Sequence, residues 1–319
     1  MIFVVTGCEG FIGKNFVDLL LYNGHSVYGI DKHTYASKQY SELLVHSHPN
    51  YRLIVEDIKD VKFLPDCDYI VNFAAESHVD NSIGDSENFL ETNILGVKNL
   101  LHLSRTKYKK PLFVQISTDE VYGESPTGSC SEESILKPGN PYSASKASAD
   151  MLVKAWSKTY GVPYIIIRPS NNYGCLQYPE KLIPAVIKSY LTKRKILLHD
   201  GGKPIRTWLY VYDTCSGIYT AIQKSEVNEI YNISSQDVYT NLYVVSRIFE
   251  ILNKNYNYFE TIGDFLDYNY KRPGQDVRYN VDDTKLKSLG WKNEYKFEDQ
   301  IEKIVLHYID FFERNGVIF

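Results

Sequence analysis

Thr118, Asp119 and Glu120 follow directly on the apolar run Leu112-Phe-Val-Gln-Ile116 and Ser117, so a hydroxyl and two adjacent carboxylic acids stand where that run stops. A β-branched and aromatic run bounded by Pro111 reads as a buried strand, and ligands in open parallel sheets bind beyond the carboxyl ends of strands. Two neighbouring carboxyls at a partly buried strand end are costly unless one is protonated or hydrogen-bonded, and such surroundings push their pKa values apart. One can then serve as acid and the other as base. Taken alone, the same residues also describe a solvated turn with a helix cap, because Thr and Asp are common at caps. Further along, Asn140-Pro-Tyr-Ser-Ala-Ser-Lys146 opens a helix with Tyr142 and Lys146 four apart on one face. A phenol titrates near ~10, and a neighbouring ammonium favours the phenolate, which makes Tyr142 a candidate proton acceptor. Tyr-x-x-x-Lys arises often by chance in a Tyr- and Lys-rich chain, but seldom behind a glycine turn and a Thr-Asp-Glu segment.

The elements that must position these groups alternate in type. Ile2-Phe-Val-Val-Thr6 is a strand, Gly7-Cys-Glu-Gly10-Phe-Ile-Gly13 a glycine turn, and Phe16, Val17, Leu20 and Leu21 mark a helix that stops near Gly24. Glycines let backbone amides approach a pyrophosphate at a helix N-terminus, where the dipole and unpaired N–H groups favour an anion. The second strand ends at Asp31, 18 positions after Gly13, the place of an acid that hydrogen-bonds a ribose hydroxyl and repels a 2′-phosphate. That favours NAD over NADP, with Lys32 as the contrary sign. Asp57 and Ile58, after the strand Tyr51-Arg-Leu-Ile-Val55, are placed to hold an adenine ring, or simply to pack. Ala74 and Ala75, after Tyr69-Ile-Val-Asn-Phe73, permit close approach of a flat cofactor. The period of Leu90, Ile94, Val97, Leu100, Leu101 and Leu103 predicts a helix over 86–104 that could pair with another subunit.

This pattern predicts an α/β chain: a doubly wound parallel Rossmann sheet, with an NAD-binding domain over residues 1–170 and a smaller α/β substrate-binding part over 171–319 interleaved with it. The second part carries scattered Arg and Lys suited to an anionic small molecule. The 319 residues are 44% hydrophobic, enough for a sizeable core, and a net charge of -4 without charge blocks gives no footprint for nucleic acid. No basic leader and no long apolar stretch is present, which reads as a soluble, cytoplasmic protein with no membrane partner. Five scattered cysteines and an isolated His78 indicate neither disulfides nor a metal site. The 27 tyrosines read as compositional bias.

The glycine turn, Asp31, Ser117-Thr-Asp-Glu120, Tyr142-x-x-x-Lys146, Asn171-Asn-Tyr-Gly174, Pro179-Glu-Lys-Leu-Ile-Pro184 and Arg272-Pro-Gly together resemble the extended short-chain dehydrogenase/reductases. More narrowly they resemble the nucleotide-sugar 4,6-dehydratases acting on dTDP-glucose or UDP-glucose. The resemblance implies that Tyr142, activated by Lys146, takes the O4 proton while C4 is oxidised by NAD, and that Thr118 orients O4. Glu120 would remove the C5 hydrogen as Asp119 protonates the departing O6. It further implies NAD contacts at Gly7, Gly10, Phe11, Ile12, Gly13, Asp31, Lys32, Asp57, Ile58, Ala74, Ala75, Thr92, Tyr142 and Lys146. Nucleotide-sugar contacts are implied at Ser77, Thr118, Asn171, Lys181, Leu182, His199, Arg206, Asn232 and Arg272. A homodimer and a step towards deoxysugars such as rhamnose come with the family. Asn81 and His199 stand where the dTDP-glucose pattern has Arg and Tyr, a lean towards uridine. A 4-epimerase, which lacks the acidic pair, and a non-catalytic NAD-sensing protein are the competing readings.

Overall fold

A computed structural model describes residues 1–34, 37, 44–268 and 276–316 of the chain. The first strand, β1 (Ile2–Thr6), turns at Gly7 into α1 (Phe11–Tyr22), and β2 (Ser26–Asp31), β3 (Tyr51–Val55) and β4 (Tyr69–Asn72) follow. Then come α2 (Val79–Gly84), α3 (Glu87–Leu90), α4 (Val97–Arg105), β5 (Leu112–Ile116), α5 (Pro141–Tyr160) and β6 (Tyr164–Pro169). The rest comprises β7 (Asn171–Tyr173), α6 (Leu182–Leu191), β8 (Ile196–Leu197), β9 (Ile205–Tyr210), α7 (Val211–Lys224), β10 (Glu229–Ile233), β11 (Val238–Thr240) and α8 (Asn241–Tyr256). It closes with α9 (Ile262–Phe265), β12 (Leu266–Asp267), α10 (Thr284–Ser288) and α11 (Phe297–Arg314).

Seven of the strands form one sheet in the order β3-β2-β1-β4-β5-β6-β10, every pair parallel. The order reverses between β1 and β4, and a crevice opens there at the carboxyl ends. Both faces are covered, which is why the strands read as continuous apolar runs. Phe3, Val5, Val114, Ile116, Ile165 and Ile167 point to one layer with α1 and α7. Val4, Ile70, Phe113, Tyr164 and Ile166 point to the other, with α4 and α5. The seventh strand, β10, and the helix α7 come from beyond residue 170, so the later chain returns to the sheet.

A separate core lies beneath α6, α8 and α11, against β7 and β9. The stripe of α11, Ile301, Ile304, Val305, Tyr308, Ile309 and Phe312, is buried in it. Tyrosine is a major filler there: Tyr190 packs its ring against Phe249, Tyr258, Phe259 and Phe265. Two small sheets, β11-β9-β7 and β12-β8, border this core.

The expected single helix over 86–104 is α3 and α4 joined by a π turn, Glu91–Gly96. The wide turn falls where the Asn93 side chain reaches out of the helix, accepting from the Glu76 backbone N–H and donating to the Glu76 carbonyl and Ser145 Oγ. Such single-turn π bulges mark functional positions, and this one sets Thr92 on the crevice wall.

Deep below the crevice, Arg168 of β6 and Asp150 of α5 form an ion pair at 3.0 Å with exposures of 2% and 0%. Removing one partner of such a pair strands the other's charge in a low-dielectric interior. Arg168→Met is expected to cost about 3–5 kcal/mol of stability by urea unfolding. A loss below ~1 kcal/mol would mean that Asp150 finds another partner or a proton at no cost.

Candidate active site

The crevice is lined from both parts of the chain. Its floor is the glycine turn. Gly7 has φ +64°, and a Cβ there would lie 2.6 Å from the Ala74 backbone nitrogen; at Gly13 it would lie 2.2 Å from the Gly7 carbonyl oxygen. No side chain could be carried at either place. Gly10 caps α1 without a side-chain acceptor, which leaves first-turn N–H groups, those of Phe11 and Ile12 among them, at an open helix N-terminus on the crevice wall. Asp31 closes β2, accepting from the backbone N–H of Glu9 at 3.1 Å and of His33 at 2.9 Å. Burial raises its pKa, and these N–H donors work against the rise.

Lys32 faces inward but lies 3.6 Å from Asp57 and 3.3 Å from Glu76, with Thr92 Oγ1 at 3.3 Å. Its ammonium is balanced by two carboxylates, and Asp31 keeps the corner acidic. The contrary sign in the sequence is thereby answered: the corner suits a ribose diol and not a 2′-phosphate. Ile58, Ala74 and Ala75 complete this half of the wall. Every residue of the expected dinucleotide set lines the crevice, and the bare glycine turn, the uncapped helix end and Asp31 fit a dinucleotide diphosphate.

In the other half, Thr118, Asp119, Glu120, Tyr142 and Lys146 meet. Thr118 is the helix cap of the bland reading as well as a site residue: its Oγ1 accepts from the Glu120 N–H at 3.3 Å, starting a 3-10 turn over Asp119–Tyr122. Asn140 caps α5 through a capping box with Ser143, and its amide also donates to Glu120 Oε2 at 3.4 Å. Burial and the neighbouring charge of Glu120 push Asp119 up to about 7. The two acids therefore differ: Asp119 is buried, while Glu120 is half-buried on the crevice wall.

Lys146 is lowered to about 8 by burial, opposed by Asp150, and its Nζ donates to the Ile116 carbonyl at 2.6 Å. Tyr142 departs from the expected direction. Burial, then the charge of Glu120, pushes it well above the ordinary phenol range, with a hydrogen bond from Thr118 working the other way. The ammonium on which the expectation relied is spent on the end of β5.

Ser77, Asn171, Lys181 and Arg206 line the same half, and Lys181 Nζ donates to the Ser77 carbonyl at 3.1 Å across 104 positions of sequence. Leu182, the first residue of α6, instead packs against the second core. His199 lies off the crevice wall, 3.9 Å from Asp80, which brings it to the segment that carries Asn81. Asn232 is fully buried outside the crevice. Its Oδ1 accepts from Tyr122 Oη and its Nδ2 donates to the carbonyls of Cys130 and Asp282. Arg272 lies outside the described residues. Glu76, Tyr178, Glu180 and Tyr279 also line the crevice. Tyr178 and Tyr279 carry no local spacing signal, whereas Glu76 and Glu180 stand inside the segments Ala74-Ala-Glu-Ser and Pro179-Glu-Lys-Leu.

Asp119 supplies a test of the acid's environment. Its folded pKa, about 7, exceeds the reference 3.8, so the folded state holds the extra proton between these values and loses stability as pH rises through that window. Asp119→Asn is expected to be more stable than the parent at about pH 8 and to lose most of that advantage by about pH 5 in urea unfolding. An advantage independent of pH would contradict the assignment.

The profile of the GDP-mannose 4,6 dehydratase family matches residues 4–304. The chain is 41% identical over 311 residues to the low-salt glycan biosynthesis protein Agl12 of Haloferax volcanii, covering 96% of this chain and 98% of that protein. It is 37% identical over 330 residues to dTDP-glucose 4,6-dehydratase of Haemophilus influenzae, covering 96% and 97%. The crystal structure of DesIV, a dTDP-glucose 4,6-dehydratase from Streptomyces venezuelae solved with NAD bound, superposes with a TM-score of 0.92 at 34% identity over 98% of both chains. A UDP-glucuronic acid 4-epimerase from Bacillus cereus reaches 0.90 at 25% identity, covering 98% of this chain and all of that one, so overall shape alone does not separate the two reactions. On this profile, these relatives and this crevice, the chain belongs to the NAD-dependent nucleotide-sugar 4,6-dehydratases, a branch of the extended short-chain dehydrogenase/reductases.

Proposed function

We propose that the chain converts dTDP-D-glucose to the 4-keto-6-deoxy sugar nucleotide with loss of water, a step towards deoxysugars. The observation that carries this reading is the unlike pair Asp119 and Glu120 beside Thr118, Tyr142 and Lys146. Loss of water across C5 and C6 needs an acid for O6 and a base for C5 at once. A buried acid at about 7 and a half-buried carboxylate supply them. An epimerase needs only the Tyr-Lys pair.

NAD, when bound, supplies the hydride acceptor for C4, the donor for C6 and a ring cation that favours the Tyr142 phenolate. Tyr142 accepts the O4 proton, Thr118 holds O4, and Lys146, fixed to the end of β5, orients the helix face that carries Tyr142. The 4-ketone acidifies C5–H. Glu120 takes that proton, Asp119 gives its own to O6, and water departs. Residues 1–170 hold the dinucleotide and most of 171–319 the nucleotide diphosphate. Lys181, Arg206 and Arg272 supply positive charge for the latter.

The dTDP-glucose dehydratases among the relatives support thymidine. A second reading, UDP-glucose, rests on His199 beside Asp80 and on Asn81. We further infer a homodimer and a cytoplasmic setting by analogy with the family; among the described residues no helix is long and apolar enough to cross a membrane.

Incubation with dTDP-glucose is expected to give a product lighter by one water, without net NADH, and Glu120→Gln to lower kcat by about 10²–10⁴-fold. A near-normal rate for this variant would return the reading to epimerase. An inert wild type holding NAD would point to the non-catalytic sensor. His199→Tyr is expected to raise kcat/KM for the thymidine nucleotide relative to the uridine one, and an unchanged ratio would remove His199 from base selection.

A further inference from the structure

The proposed chemistry loads Glu120 with the C5 proton, and C5 takes up a proton again when hydride returns to C6, so a path from Glu120 to solvent decides which proton C5 receives. Glu120 Oε2 has a second neighbour. Tyr279, buried and on the crevice wall, brings its Oη within 3.5 Å of Glu120 Oε2 and 2.5 Å of Asp276 Oδ2. One phenol thus stands between two carboxyls.

The arrangement is held from several sides. The Arg206 guanidinium lies over the Tyr279 ring, 4.5 Å from its centroid, and donates to the backbone carbonyl of Asp276 at 3.1 Å. Gly139 makes room for the second acid: a Cβ there would come within 3.1 Å of Asp276 Oδ2. The next residue, Asn140, fixes Glu120 from the other strand of contacts. Asp276 is half-buried and reaches solvent.

We propose that Tyr279 and Asp276 form a proton relay that connects Glu120 with solvent during the dehydration. The relay rests on the dehydratase reading above. Glu120, protonated by C5, donates to Tyr279 Oη while Tyr279 donates its own proton to Asp276. One O–H bond breaks and one forms at the phenol, which begins and ends neutral, and water then removes the proton from Asp276. The same path run backwards delivers a solvent proton for C5. Burial and the charge of Glu120, with the hydrogen bond to Asp276, push Tyr279 far above the ordinary phenol range, and Arg206 opposes this. The phenol therefore does not discharge to a phenolate; it passes a proton only by gaining one as it gives one.

The reaction run in D2O tests this. The wild type is expected to place deuterium at C5 of the product. Tyr279→Phe and Asp276→Asn are expected to return the sugar's own hydrogen to C5, lowering deuterium at that position at least about tenfold while Glu120 itself still closes the cycle. Oxidation at C4, read as NADH absorbance in a single turnover, is expected to change less than about twofold, because the O4 proton goes to Tyr142. Full deuterium at C5 in both variants would overturn the relay. Equal losses in oxidation and elimination would also overturn it, leaving Tyr279 a packing role. If the wild type removes no water from any nucleotide glucose, the dehydratase reading itself fails, a result obtained before either variant is made.

Discussion

The geometry of the site depends on the ion pair between Arg168 and Asp150, taken wholly out of water at the meeting of β6 and α5. Attraction between such charges seldom exceeds their desolvation cost, so the pair is better understood as fixing position than as adding stability. Ser117, at the end of β5, donates to Asp150 at 3.1 Å, and Arg168 donates to Tyr122 Oη at 2.8 Å. Tyr122 ends the turn that carries Asp119 and Glu120, and it reaches on to Asn232 in β10 at 2.8 Å. The turn of Asp119 and Glu120, the helix of Tyr142 and Lys146, and the two neighbouring strands are tied to one charge pair. Slack in it would be felt at every reacting group.

Burial then sorts the titratable groups. It lifts Asp119 to about 7 and brings Lys146 down to about 8, so both lie close to neutrality, where a group can give or take a proton with little driving force lost. Glu120 keeps its place on the wall, with Asn140 and Tyr279 on the same oxygen. The difference between the acids comes from depth and neighbours, since their chemical types are nearly the same. The same burial opposes the Tyr142 phenolate, and its activation has to come from charge brought close by the ligand.

The second core serves the site at a distance. The rings of Tyr173, Trp208 and Phe297 meet between β7, β9 and α11, and these strands carry Asn171 and Arg206 to the crevice. The tyrosine excess, without meaning in the sequence, has a structural use here: large rings fill the space between α6, α8 and α11.

The sequence by itself determined six strands of the parallel sheet to within a residue at each end, the glycine turn and the helix that opens at Asn140, because each is local. Apolar runs, a bare turn and a four-residue spacing are written in neighbouring positions. Only the tertiary structure decided that Lys32 is offset by Asp57 and Glu76, that Asn232 is spent on Tyr122, Cys130 and Asp282, and that Tyr279 stands beside Glu120 across 159 positions. It also decided the π turn at Asn93 and the direction of the Tyr142 shift. Partnership and protonation are set by which groups the folded chain excludes from water together, and such pairings between distant residues leave no spacing in the sequence.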